Sequence, residues 1–244
     1  MPPQHLLRNN IILLACLLVL ILVFPLVESR GLLFRDMLLS VIFLSGIFSL
    51  EYPPRARALL LSMATFTTVT TWAHHFYGTS PFHLIDFGSS FVTLAVIVAL
   101  MIRQIARSRI VTPAIILSSV NGYLLLGVLG AVLLSIGNAV TMALNGPGSF
   151  GVALPDNQAP QFGDFLYFGF ITLTTVGFGD ITAVSPLTRS LVILISLAGP
   201  LYMTLLIAML VGKFLSNPGA GTGSAEEKGS GAEDRPQPPR NENS

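Results

Sequence analysis

The stretch Thr172-Leu173-Thr174-Thr175-Val176-Gly177-Phe178-Gly179-Asp180 (TLTTVGFGD) lies between two long apolar runs, and its reading decides the fold. Threonines, two glycines and an acid are the residues least expected deep in an oily chain. The chain around them has 244 residues, 52% hydrophobic and only 10% charged. A soluble domain carries roughly a quarter charged residues, so the composition is that of a membrane protein. A formal charge of +1, four histidines and one cysteine argue against a nucleic-acid binder, a cysteine-rich metal site or a disulfide scaffold. Cys16 reads as a small hydrophobe of the first apolar run.

A hydrocarbon core of about 30 Å needs about 20 apolar residues in a helix. Six stretches qualify as candidate spans, at 9–27, 31–50, 56–73, 84–104, 111–136 and 187–214. The first could pass for a signal peptide, but it is long for one, and Glu28-Ser29-Arg30 is a poor cleavage site. The third is thinned by Thr65, Thr67, Thr68, Thr70 and Thr71, whose hydroxyls can bond back to the helix. Residues 138–163 are rich in Gly, Pro and Asn, and Phe165 to Leu173 is apolar but too short to cross. A short helix followed by extended chain and then a full span predicts a re-entrant hairpin, which requires protein or water around its irregular backbone. The expected fold is an all-α membrane protein of six transmembrane helices, with the re-entrant helix and the TLTTVGFGD string between helices 5 and 6. The expected divisions are a four-helix region at 1–109, a pore-like domain at 110–216 and a disordered tail at 217–244, rich in Gly, Pro, Glu and Asn.

Charge sets the expected orientation. Arg8, Arg55, Arg57, Arg103, Arg107, Arg109 and Lys213 fall at one set of span ends. Arg30, Arg35 and Arg189 fall at the other, among Glu28, Asp36, Asp156, Asp164 and Asp180. The positive-inside rule places both termini in the cytoplasm and the hairpin outside, in a cell membrane.

The string itself offers carbonyl oxygen. Four copies around an axis would stack rings of carbonyls from Thr175, Val176, Gly177 and Phe178, with the Thr175 hydroxyls innermost. Such rings can replace the hydration shell of a monovalent cation without trapping it on a fixed charge. Gly177 and Gly179 reach left-handed backbone angles cheaply, so that successive carbonyls can face the axis. Asp164 falls in the first turn of the short helix, and the opposite end of that helix, near Thr174, points partial negative charge inward. Asp180 sits just outside the carbonyl column, making the mouth acidic together with Asp164 and Asp156; it could equally bond behind the string.

Residues 172–180 resemble the selectivity-filter signature of potassium channels, matching Thr-x-Thr-Thr-Val-Gly-Phe-Gly-Asp throughout. The resemblance implies a filter of Thr175, Val176, Gly177, Phe178 and Gly179, a pore helix over Asp164–Thr174, an outer helix over Ile110–Ile136 and an inner helix over Leu187–Lys213. It also implies a homotetramer in a lipid bilayer, of a kind met in prokaryotic inner membranes, with potassium as the permeant ion. Paired tryptophans common in that family are here Tyr167 and Phe168, still an aromatic collar for the filter. An acid found in some relatives behind the filter is here Ile171. Gly199-Pro200 interrupts the last span and could hinge it, or could be a static kink.

Several other readings follow from absence. No span carries arginines at three-residue spacing, so a voltage sensor is not expected. Arg103, Arg107 and Arg109 read as topology-setting charge, or as a linker that touches acidic lipid. His74, His75 and His83 could form a proton or metal sensor, though interfacial histidines need no such role. No nucleophile–base pair or metal cluster points to an enzyme, no cofactor is implied, and neither nucleic acid nor a dedicated soluble partner is expected. The expected function is passive potassium-selective conduction. Its alternatives are a weakly selective monovalent cation channel and a non-conducting scaffold.

Overall fold

A computed structural model describes residues 4–27, 32–50, 53–77, 80–108, 112–146, 148–155 and 158–215. The tail expected from 217 onward, Arg30, Arg109 and Asp156 lie outside the described residues, as do the side chains of His74, His75 and His83. The chain forms α1 (Gln4–Leu22), α2 (Phe24–Val27), α3 (Leu32–Phe48), α4 (Pro54–Tyr77), α5 (Ser80–Arg107) and α6 (Pro113–Asn145). β1 (Val152–Ala153), α7 (Phe162–Leu173), β2 (Thr182–Ala183) and α8 (Pro186–Leu215) follow.

The six-span expectation is corrected. Among the described residues, four helical stretches are long and apolar enough to cross a membrane: His5–Leu26, Ile85–Arg107, Pro113–Asn145 and Pro186–Lys213. Two of the six candidate stretches fail for different reasons. α3 has 17 residues and contains Arg35 and Asp36; at 1.5 Å per residue it is about 26 Å long, short of the hydrocarbon thickness. α4 has 24 residues but is diluted by five threonines, Arg55, Arg57 and two histidines. Its hydroxyls are satisfied locally and across the α4–α5 seam, as in Thr65 to the Leu61 carbonyl and Thr67 with Thr93 at 2.8 Å. That arrangement suits a helix packed on protein better than one bathed in lipid.

α6 is the hub, packing against α1, α5, α7 and α8. It starts on the Thr112 cap with Pro113 in its first turn, where a missing amide costs nothing. It runs nine residues past the expected end at Ile136, to Asn145, before Gly146 at φ 94° terminates it. Gly137 and Asn138 looked like a break in the sequence. Instead, a Cβ at Gly137 would come 2.7 Å from the Leu191 side chain, so this glycine admits α8. The core runs along the α1–α3–α5–α6 seams through Leu17, Phe43, Ile97 and Leu125, then continues beneath α7 through Phe165 and Leu173.

Candidate functional site

Small residues let α7 sink into the groove between α6 and α8. A Cβ on Gly127 would lie 2.3 Å from the Phe170 ring, and one on Gly169 3.1 Å from the Ala131 amide nitrogen. A Cβ on Gly199 would fall 1.9 Å from the Leu173 carbonyl oxygen. The C-terminal end of α7 therefore touches the middle of α8, halfway along a membrane-length helix. That contact seats the hairpin against the middle of α8, with Gly199 packed at the base of the string. α8 continues unbroken as a helix through Pro200.

After Leu173 the backbone alternates in hand. Thr175 (φ 61°), Gly177 (φ 52°) and Gly179 (φ 80°) are left-handed, while Val176 and Phe178 between them are not. Thr175 is the single non-glycine residue with positive φ among the described residues, a costly state for a β-branched side chain. The amides of this stretch turn back to the short helix: Thr174 donates to Phe170, Thr175 to Thr172, and Val176 (2.9 Å) and Gly177 (3.1 Å) both to the Ile171 carbonyl. Among the described residues, no backbone amide donates to the carbonyls of Thr175 to Phe178. Amides satisfied on the helix side and carbonyls left open are what an ion-binding backbone requires. Residues 174–180 are all exposed, including the side chains of Val176 (53%) and Phe178 (72%).

Side chains brace the string. The Tyr167 hydroxyl donates to Asp180 Oδ2 at 2.7 Å, joining the helix to the far end of the string. This bond, with lesser help from backbone amides, holds the Asp180 carboxyl below the usual carboxylate range. Of the two placements its sequence position left open, Asp180 is bonded back to α7 and is also exposed. Asp164 accepts the Gln161 amide at 2.8 Å, satisfying an orphan donor at the start of α7 and placing negative charge at the positive end of the helix. Phe168 is buried on the inner side of α7 and Tyr167 is partly exposed beside the string, so the two aromatic positions do different work. The Thr174 hydroxyl bonds the Phe170 carbonyl. The observed short helix, Phe162–Leu173, is shifted two residues earlier at its start than expected.

Two polar clusters escaped the sequence reading. At one end of the body, β1 and β2 pair antiparallel, Val152 opposite Ala183 and Ala153 opposite Thr182. Beside them Asn138 accepts the Gly151 amide at 2.8 Å, and the Gly151 carbonyl accepts the amides of Val184 and Ser185. Ser185 bonds Thr141 and Thr188 within 3.1 Å and caps α8. This network fastens the chain leaving the string to the top of α6. At the opposite end Asn121 donates to the Asn10 carbonyl (2.9 Å) and Ser118 to Asn10 Oδ1 (3.1 Å), all fully buried, joining α1 to α6. The one available signal was the presence of asparagines inside an apolar run.

Charges divide between the two ends. Lys213 donates to the Ile105 carbonyl, bringing the end of α8 to the end of α5, near the exposed Arg103 and Arg107. The Arg57 guanidinium lies 4.7 Å from the centre of the Phe48 ring, and the Phe48 carbonyl accepts from Asn9, next to Arg8. At the other end Arg35 pairs with Asp36 at 2.8 Å and lies over the Phe162 ring at the start of α7. Asp86 is buried there and accepts from Thr71 at 2.5 Å. Among the described residues no group of three His, Cys, Asp or Glu side chains could hold a metal ion.

Residues 131–216, from the second half of α6 through the hairpin to the end of α8, match the family model described as Ion channel. No curated protein and no solved structure matches the chain. The match agrees with a non-enzymatic protein and is to ion channels in general. Together with the four apolar spans, it corrects the resemblance to a six-transmembrane potassium-channel layout.

Proposed function

We propose that this membrane protein conducts monovalent cations passively, with potassium preferred, through a pore that copies of the chain build together around residues 175–179. The observation that carries the reading is the alternating backbone of Thr175, Gly177 and Gly179, with its amides tied to α7 and its carbonyls open. One string cannot enclose an ion, and fourfold closure is the arrangement in which carbonyl rings replace a hydration shell. Exposed Val176 and Phe178, and the long apolar face of α8 through Leu194, Leu197, Leu201 and Leu205, are surfaces that neighbouring copies and lipid would cover. Gly199 and Pro200 are proposed as the place where α8 bends if it opens. The basic end of the body, with Arg57, Arg103, Arg107 and Lys213, is proposed as cytoplasmic and the Asp180 end as outer.

Reversal potentials in mixed sodium and potassium, recorded from protein in planar bilayers, test the preference. A reversal that follows the potassium gradient is expected. One that ignores it favours the second reading, a weakly selective cation channel, which the general nature of the family match supports. Flux into potassium-loaded liposomes tests conduction itself. Gly177→Asp places a side chain on a left-handed residue and a fixed charge in the column, so it should abolish flux. Flux equal to wild type in this variant would sink the assignment.

A further inference from the structure

Phe162, the first residue of α7, is buried, and two side chains from the N-terminal helices close on its ring. The Phe24 ring of α2 meets it edge to face, with centroids 5.9 Å apart and planes at 67°. The Arg35 guanidinium of α3 lies over it, 5.7 Å from the centroid. Arg35 in turn bonds Asp36 at 2.8 Å, and Asp36 is fully buried. Stability alone does not account for this pair. Taking two charges out of water costs about what their attraction returns, and apolar residues of like volume often do better. Nor does the field of α7 account for it, since a cation is disfavoured beside the amino end of a helix. What the guanidinium gains there is the negative face of the Phe162 ring. With its side chain only 12% exposed, Arg35 loses little of that attraction to water. Asp36 beside it, and Asp164 in the first turn of α7, offset the misplaced positive charge.

We propose that Arg35 is a positioning residue for α7. With Asp36 fixing its guanidinium, it grips Phe162, and through that ring the N-terminal helices set where the short helix sits. α7 is one helix of 12 residues from Phe162 to Leu173, so a displacement of its start is carried along it. Ile171 lies about two and a half turns further on, and its carbonyl holds the amides of Val176 and Gly177. Loss of the grip therefore loosens the string at its inner end, by a route that begins outside the stretch that matches ion channels. The consequence for current rests on the proposed conduction; the consequence for the amides does not.

Amide hydrogen exchange in the purified assembly, followed at Phe165, Val176 and Gly177, reads the grip without reference to current. Phenylalanines with progressively more ring fluorine, placed at Phe162, drain the ring face of negative charge while nearly keeping its volume. Exchange at all three amides is expected to rise along the series, by about ten-fold in total. Arg35→Gln/Asp36→Asn removes both charges without leaving either one buried alone, and in that background the series should have no effect. The comparison cancels the contribution of Phe24, whose contact with the ring is present in both. Arg35→Lys, which keeps a cation, should give a slope between the two. Thermal unfolding checks that each variant is folded, and if the double variant is not, the shallower slope of Arg35→Lys carries the test. A flat series in wild type, or a slope that the substitutions leave unchanged, overturns the proposal. So does a rise at Phe165 that leaves Val176 and Gly177 as they were. Open dwell times should shorten along the same series, and dwell times that hold while the amides exchange faster overturn the consequence for current. Exchange that rises as expected in a protein that passes no current supports the grip and refutes the conduction reading alone.

Discussion

Tyr167 and Asp180, thirteen residues apart, are joined by a 2.7 Å hydrogen bond that closes the string between them into a loop anchored at both ends. The inner end is held by amides on the Ile171 carbonyl and the outer end by this phenol–carboxylate contact. Ile171 offers no side-chain hydrogen bond there, and Asp180 is the acid bonded to α7.

The bond makes the outer end pH-sensitive in a defined direction. Asp180 has a depressed folded pKa, so its contribution is fully present above the ordinary carboxylate value of about 4 and is lost as pH falls through the lower folded value. Tyr167→Phe removes the main cause of the depression. Current recorded while the Asp180 side is titrated from about pH 7 to about pH 3 should therefore fail at a higher pH in the variant than in wild type. Coincident titrations would mean that the bond does not support conduction.

Two glycines of α8 make a matched pair. A Cβ at Gly199 would sit 1.9 Å from the Leu173 carbonyl oxygen, a backbone atom that cannot rotate away, whereas a Cβ at Gly212 meets nothing within 4 Å. Gly199→Ala should cost about 1–3 kcal/mol through overpacking. Gly212→Ala should be neutral or stabilising by up to about 1 kcal/mol, from helix propensity. Thermal unfolding in one detergent ranks them, and a Gly199→Ala protein as stable as wild type would show that α8 is free to shift there.

The parts of this protein legible in sequence are those whose chemistry is local. The TLTTVGFGD string, the short helix before it and the last span follow from residue types at short spacing. Gly177 and Gly179 were expected to be left-handed and are. Thr175 shares that state although its residue type does not signal it, because a β-branched residue adopts it only when surrounding bonds impose it. The span count failed at α3 and α4 because α3 ends after 17 residues with Arg35 and Asp36 inside it, and the threonines, arginines and histidines of α4 dilute its apolarity. The end of α6 failed likewise: Gly137 and Asn138 look like a terminus until Leu191 and Gly151 are brought beside them.

Gly127 and Phe170 should be energetically coupled. A Cβ on Gly127 would penetrate the Phe170 ring, 2.3 Å from its edge carbon. Gly127→Ala alone should destabilise by about 1–3 kcal/mol, and Phe170→Leu should recover part of that by vacating the volume. A double-mutant cycle by thermal or denaturant unfolding should show coupling of about 0.5–3 kcal/mol. Additive costs would mean that α7 shifts along α6 to accept the methyl group.

Asn138 tests whether the fastening beyond the string matters. Its side-chain oxygen takes the amide of Gly151, which is buried, and the Gly151 carbonyl in turn holds the amides of Val184 and Ser185. Asn138→Leu leaves the Gly151 amide without that partner, at a cost of about 1–3 kcal/mol. Thr141→Val deletes the bond to Ser185, which keeps Thr188, and the bond back to the Gly137 carbonyl of its own helix, and should cost about 0.5–1.5 kcal/mol. Amide hydrogen exchange at Val184 and Ser185 should accelerate in Asn138→Leu and change little in Thr141→Val. Open dwell times should shorten in the same order, because the chain leaving Asp180 has lost its anchor. If exchange accelerates while dwell times stay fixed, the outer fastening supports the fold without reaching the string, and Tyr167 alone secures its outer end.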